Sequence, residues 1–185
     1  MICEERLIMK KFLIVVDMQN DFVTGSLGSK EAQDIVAKVE KKAREYMWNN
    51  SPIIFTKDQH DKNYLSTLEG KYLPVEHCVY GTDGYDLVKE LNPISEFYNN
   101  SYIVTKPSFG YKWWNDMGLF NMYKEKQFEL VGVCTDICVI TNALLLRTYF
   151  PESKIIVDSS CCAGSTTEKH KAALEVMKSC HIDVV

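Results

Sequence analysis

The sequence has no apolar run near the roughly 20 residues needed to span a bilayer. It also has no surplus of basic residues: 21 Lys and Arg stand against 25 Asp and Glu, for a formal net charge of -4. The first absence excludes a membrane-spanning helix. The second removes the general attraction to nucleic acid, so no nucleic-acid partner is expected. Repeats, low-complexity tracts and linker-like stretches are missing too. A secretion signal is not expected at MICEERLIMKKFLIVV, because Glu4 and Glu5 sit where a basic region belongs and Phe12–Val16 runs straight into Asp17. The seven cysteines are odd in number and show no framework spacing; Cys134 and Cys138 lie four apart without a second such pair. A disulfide scaffold and a four-cysteine zinc site are therefore excluded, and free thiols in a reducing cytoplasm are expected.

What is present is ordinary globular material, 185 residues with 46% hydrophobic and 25% charged. The expected organisation is a short extension over residues 1–8, with Met9 as an alternative start, and one domain over residues 9–185. Short β-rich runs alternate with helical patterns. Strands are predicted at Phe12–Val16, Pro52–Thr56, Tyr102–Thr105, Phe128–Val133, Lys154–Val157 and Ile182–Val185. Helices are predicted along the Ala32–Met47 stripe, at Tyr85–Leu91, at Trp113–Tyr123, from Asp136 to Tyr149, and from a capping box at Ser165–Glu168 to Ser179. FLIVV, FELVGV and KIIVD are largely apolar on both faces, as central parallel strands are. The predicted class is α/β, a three-layer α/β/α fold with a mainly parallel, Rossmann-like central sheet.

Ligands of such sheets bind beyond the carboxyl ends of the strands. Just past the predicted strands stand Asp17 in VVDMQNDF, Asp58 and His60 in FTKDQH, Lys106 in VTKPSFG and Cys138 in VGVCTDICV. Cys138 falls in the first turn of a predicted helix, where unpaired N–H groups favour a thiolate and can hold an oxyanion. Such a cysteine is otherwise a buried structural residue; Cys134, Cys161 and Cys162 are rival thiols. Asp17 can accept and return a proton, and an ammonium at Lys106 balances the charges. The plain alternatives are a turn-capping aspartate and a solvated lysine. Asp58 and His60 are two apart on an extended segment and project to one side. With His77, and Glu69 between, they suit zinc, iron or manganese, or are unrelated surface groups. Trp113 and Trp114 can line an aromatic pocket or simply pack.

With these residues in place the chain resembles the isochorismatase-like cysteine hydrolases and, within them, the nicotinamidases. The resemblance runs from Met9 to near the end and rests on VVDMQNDF, on TKDQH with LPVEHC after it, on VTKPSFG and on VGVCTDICV. It implies a catalytic triad of Asp17, Lys106 and Cys138, a cis peptide at Val133–Cys134, and an oxyanion hole from the N–H groups of Cys134 and Cys138. It implies a divalent metal, zinc first, with iron and manganese as the others, on Asp58, His60 and His77. Some members carry a second histidine soon after the first; this chain lacks it, and Glu69 fits the variant with a glutamate there. Phe22 and Trp113 are expected to stack on the substrate ring. The implied activity is amide hydrolysis on a small-molecule substrate, nicotinamide to nicotinate and ammonia, in a homo-oligomer. A hydrolase of N-carbamoyl or other small amides, and a non-catalytic thiol or ligand-binding protein, are the alternatives.

Overall fold

The structure, a computed structural model, describes residues 9–185; the expected extension over residues 1–8 lies outside them. Six parallel strands form one sheet: β1 Lys10–Val16, β2 Ile53–Asp58, β3 Ser101–Lys106, β4 Lys126–Val133, β5 Lys154–Ala163 and β6 Asp183–Val184. Their order across the sheet is β3-β2-β1-β4-β5-β6. The helices are α1 Asn20–Val23, α2 Lys30–Trp48, α3 Leu68–Tyr72, α4 Asn92–Phe97, α5 Gly118–Asn121, α6 Ile140–Tyr149 and α7 Thr167–Ser179. Among the described residues no helix is long and apolar enough to cross a membrane.

The doubly apolar FLIVV run makes β1 the spine of two cores. Leu13 and Val15 join a cluster with Ala32, Ile35, Val39 and Ala43 of α2. Phe12, Ile14 and Val16 face the other way, onto Val139, Ala143 and Leu146 beside and along α6 and Met177 of α7. Alternate side chains of a strand point to opposite faces, so one continuous apolar run must be covered twice. The result is the three-layer α/β/α arrangement. The α2 stripe is buried as its spacing predicts, and Ser29 caps the helix by accepting a hydrogen bond from Ala32 N.

Strand order reverses between β1 and β4, and that switch point leaves a crevice at the carboxyl end of the sheet. Register brings the strand ends level: Val16 pairs with Thr56 and Gly132, and Asp58 with Lys106. Gly132 is what lets β1 and β4 approach there. Its φ is +118°, and a Cβ would stand 2.1 Å from the Val16 carbonyl oxygen.

Four elements differ from the sequence pattern. Residues 85–91 form no α-helix beyond the 3-10 turn Asp83–Tyr85, because their backbone binds residues 18–20 instead: Asn20 N donates to Asp86 O and Val88 N to Met18 O. The helix falls later, at α4. The Trp113–Tyr123 helix is split into a 3-10 turn at Trp114–Asp116 and α5, broken at Met117 with extended backbone (ψ 102°). The Asp136–Tyr149 helix opens as a π-helical turn, Thr135–Val139, before α6. The final helix is capped one residue later than the pattern suggests, by Thr166, whose side chain accepts from Lys169 N, while Ser165 bonds Asp136.

Replacing Gly132 by alanine puts a methyl group into the Val16 carbonyl at a backbone angle that L-residues avoid. The expected loss of stability is about 2–4 kcal/mol, read as a shift of the urea midpoint at unchanged m-value.

Candidate active site

Asp17 directly follows β1, and its φ of 48° turns the chain sharply off the sheet. Its carboxylate is fully buried. Oδ1 accepts a 2.6 Å hydrogen bond from the Thr56 hydroxyl on β2. Oδ2 has no hydrogen-bond donor aligned on it but stands 2.7 Å from the Lys106 ammonium. Lys106, the last residue of β3, is also fully buried. Its Nζ lies 3.4 Å from Asp58 Oδ1 and 3.5 Å from Cys138 Sγ. Three strand ends and the turn after a fourth thus converge on one ammonium.

The electrostatics follow from burial. Burial disfavours the Lys106 ammonium, but Asp17, Cys138 and Asp58 outweigh it and hold the proton firmly. Burial pushes the Asp17 carboxyl up, with Lys106 pulling down and Asp58 pushing up. Burial likewise drives the Cys138 thiol well above its ordinary value against the pull of Lys106. A helix start favours a standing thiolate; here burial outweighs it. Burial thus favours the neutral form of the Cys138 thiol and raises the proton affinity of the carboxylate beside it.

Next to this triad lie Asp58, His60, Glu69 and His77, with one donor atom from each within 4.8 Å of all the others. His60 Nε2 is 3.1 Å and His77 Nε2 3.5 Å from Asp58 Oδ2, and both are 3.8 Å from Glu69 Oε1. His77 Nδ1 donates to Val75 O at 2.8 Å, which turns the Nε2 lone pair inward. Burial and the charge of Asp58 push the Glu69 carboxyl up. Two imidazoles and two mutually repelling carboxylates around one point fit a divalent cation of the zinc, iron or manganese kind.

Cys134 comes directly after a cis Val133–Cys134 peptide, and its carbonyl accepts from Ile137 N and Val139 N. Cys134 and Cys138 both line a cavity of about 440 Å³ together with Asp58, Glu69 and His77. Phe22 lines it too, with its ring 5.5 Å from that of His77. Trp113 does not: Trp114 turns inward and donates to Asn142 Oδ1 at 3.0 Å, so Trp113 faces outward onto Tyr111 and Lys112. The second aromatic wall of the cavity is Phe109. Cys161 and Cys162 are buried thiols at the end of β5.

Residues 11–185 match the isochorismatase domain. The chain belongs to the isochorismatase family. It is 30% identical to an isochorismatase family protein of Bacillus subtilis over 90% of this chain and 93% of that one. The crystal structure of a nicotinamidase from Bacillus subtilis superposes with a TM-score of 0.84 at 26% identity, covering 96% of this chain and 99% of the other. A pyrazinamidase of Pyrococcus horikoshii, solved in complex with zinc, gives 0.80 at 27% identity over 95% and 98%.

In this isochorismatase-family chain the first motif does more than supply Asp17. Gln19 is fully buried and braces Asp58: its Oε1 accepts from Asp58 N at 2.7 Å, and Nε2 donates to Asp58 O and Tyr85 O. Asp21 Oδ2 accepts from Cys78 N at 2.8 Å, pinning the loop that carries His77. Asn142 holds the nucleophile turn by donating to Cys138 O. Sequence reasoning missed these three; for Gln19 and Asp21 the available signal was their place within VVDMQNDF. Gln19→Leu keeps the volume but strands three buried backbone groups. It is expected to lower stability by about 2–4 kcal/mol, measured by urea denaturation.

Proposed function

We propose that this protein is a cysteine-dependent amidohydrolase, with nicotinamide as its substrate and nicotinate and ammonia as its products. The observation that carries the reading is the buried Lys106 ammonium touching Asp17 and Cys138, with Asp58, Glu69 and His77 of the metal-ligand cluster lining the same cavity as Cys138. The nicotinamidase and pyrazinamidase neighbours support an enzyme acting on an amide C–N bond.

Asp17 Oδ2, free of any other donor, takes the Cys138 proton as the sulfur attacks the carboxamide carbon. Lys106 stays charged throughout, so the negative charge passing from carboxylate to sulfur always faces a cation. The N–H groups of Cys134 and Cys138 stabilise the tetrahedral oxyanion. Asp17 returns the proton to departing ammonia, leaving a thioester on Cys138. It then deprotonates the water that releases the acid. Phe22 and Phe109 form the aromatic walls for the ring. Asp58, His60, Glu69 and His77 would hold a divalent cation, which when bound would supply a Lewis acid for a ring nitrogen. That cluster favours a heteroaromatic amide over an N-carbamoyl substrate.

Cys138→Ala is expected to abolish ammonia release from nicotinamide while the circular dichroism spectrum stays native. Near-normal turnover in that variant would sink the mechanism. Removal of metal by a chelator is expected to cut nicotinamide hydrolysis at least tenfold, with recovery on adding zinc. Chelator-independent turnover of a ureido substrate would instead move the assignment to the N-carbamoyl hydrolases.

A further inference from the structure

Beside the triad lies a polar clasp that the proposed chemistry does not use. It joins the nucleophile turn, Thr135–Val139, to the start of α7. Thr135 is fully buried, and its hydroxyl shares a 2.8 Å hydrogen bond with His170 Nδ1. The next residue, Asp136, accepts twice from Ser165: Oδ1 from the backbone N–H at 2.7 Å and Oδ2 from the hydroxyl at 2.6 Å. Two consecutive residues of the turn are therefore tied to α7 and its lead-in. Gly164 shows how close the two pieces are. A Cβ there would lie 2.8 Å from the His170 Cβ and 2.9 Å from Asp136 Oδ1.

The residues held are the ones between the two chemically important positions. Thr135 is next to Cys134 in the chain and stands three before Cys138. The turn itself is irregular: it is π-helical, with Ile137 N and Val139 N both donating to Cys134 O. Side-chain bonds from outside the turn therefore fix how it sits against the cavity. Thr135 makes such a bond to α7, and Asn142 makes another from α6 through Cys138 O.

We infer that His170 is a positioning residue: through Thr135 it holds the Cys134–Cys138 turn where its N–H groups and the Cys138 sulfur meet the substrate. The inference rests on the amidohydrolase reading for its effect on turnover, but not for its effect on the thiol. A misplacement of about 1 Å at a reacting group costs up to about 100-fold in rate. The loss belongs in kcat, because His170 touches neither the aromatic walls nor the metal-ligand cluster.

The test compares His170→Ala, His170→Asn, Thr135→Val and the His170→Ala/Thr135→Val pair. His170→Ala is expected to lower kcat for nicotinamide about 10- to 100-fold with KM changed less than about threefold. Iodoacetamide should alkylate Cys138 in that variant at an altered rate, tracked on the Cys138 peptide by mass spectrometry. His170→Asn, whose amide reaches the place of Nδ1, should recover most of kcat and the wild-type alkylation rate. Thr135→Val should reproduce the loss, and the double variant should be no worse than either single one. Unchanged kcat and unchanged alkylation in His170→Ala overturn the inference. So does a loss that Asn does not recover, or one that adds in full to that of Thr135→Val. If the wild-type protein releases no ammonia from any amide, the amidohydrolase reading fails by itself. The alkylation series, which needs no substrate, still decides the role of His170.

Discussion

A fully buried lysine ammonium organises this molecule. Burying such a charge alone would cost several kcal/mol, and Lys106 is stable there only because Asp17 lies at 2.7 Å, with Asp58 and the Cys138 sulfur just beyond. The converse also holds. The Asp17 and Asp58 carboxylates are both buried and repel each other, and the ammonium between them makes their proximity tolerable. Each partner arrives on a different part of the sheet, so the charge cluster requires β1, β2, β3 and the turn after β4 to end at one level. The register supplies this, pairing Asp58 with Lys106 and Val16 with both Thr56 and Gly132.

Around that centre the irregular backbone is organised by side chains. Residues 58–86 contain little regular structure, yet they carry three members of the metal-ligand cluster besides the strand-end Asp58. Gln19 and Asp21 give this stretch the hydrogen bonds that a helix or strand would otherwise provide. The isochorismatase-family motif at the start of the chain therefore acts twice, as part of the charge cluster and as the frame of the neighbouring loop.

The sequence made the sheet legible because parallel strands covered on both faces are written as largely apolar runs: FLIVV, FELVGV with Glu129 its one charge, and the IIV of KIIVD. The rim residues were legible for the same reason: strand ends are where the apolar run stops, and Asp17, Lys106 and the turn to Cys138 stand at those stops. The loops were not legible, since nothing periodic records that residues 85–91 give their backbone bonds to residues 18–20. Nor does spacing tell which of two adjacent tryptophans turns inward. That is settled by Asn142, far along the chain, which accepts from the Trp114 indole and leaves Trp113 outside. The cysteine was legible in place. Spacing records the helix start that favours a thiolate, but not the burial beside Asp17 and Asp58 that raises the thiol.

The strand order has a consequence for how the chain assembles. β1 is the first strand and the central one, and its two edges are filled by β2 and β4, so Phe12 must wait for Phe128. Parallel pairing over such separations makes folding slow relative to folds built of local contacts. Until β4 is in place, one edge of the apolar stretch Phe12–Val16 stays open to other chains. The same order bears on the site: Cys138 lies just beyond β4 in the chain, so its sulfur meets Asp17 and Lys106 only when the last edge of β1 is closed.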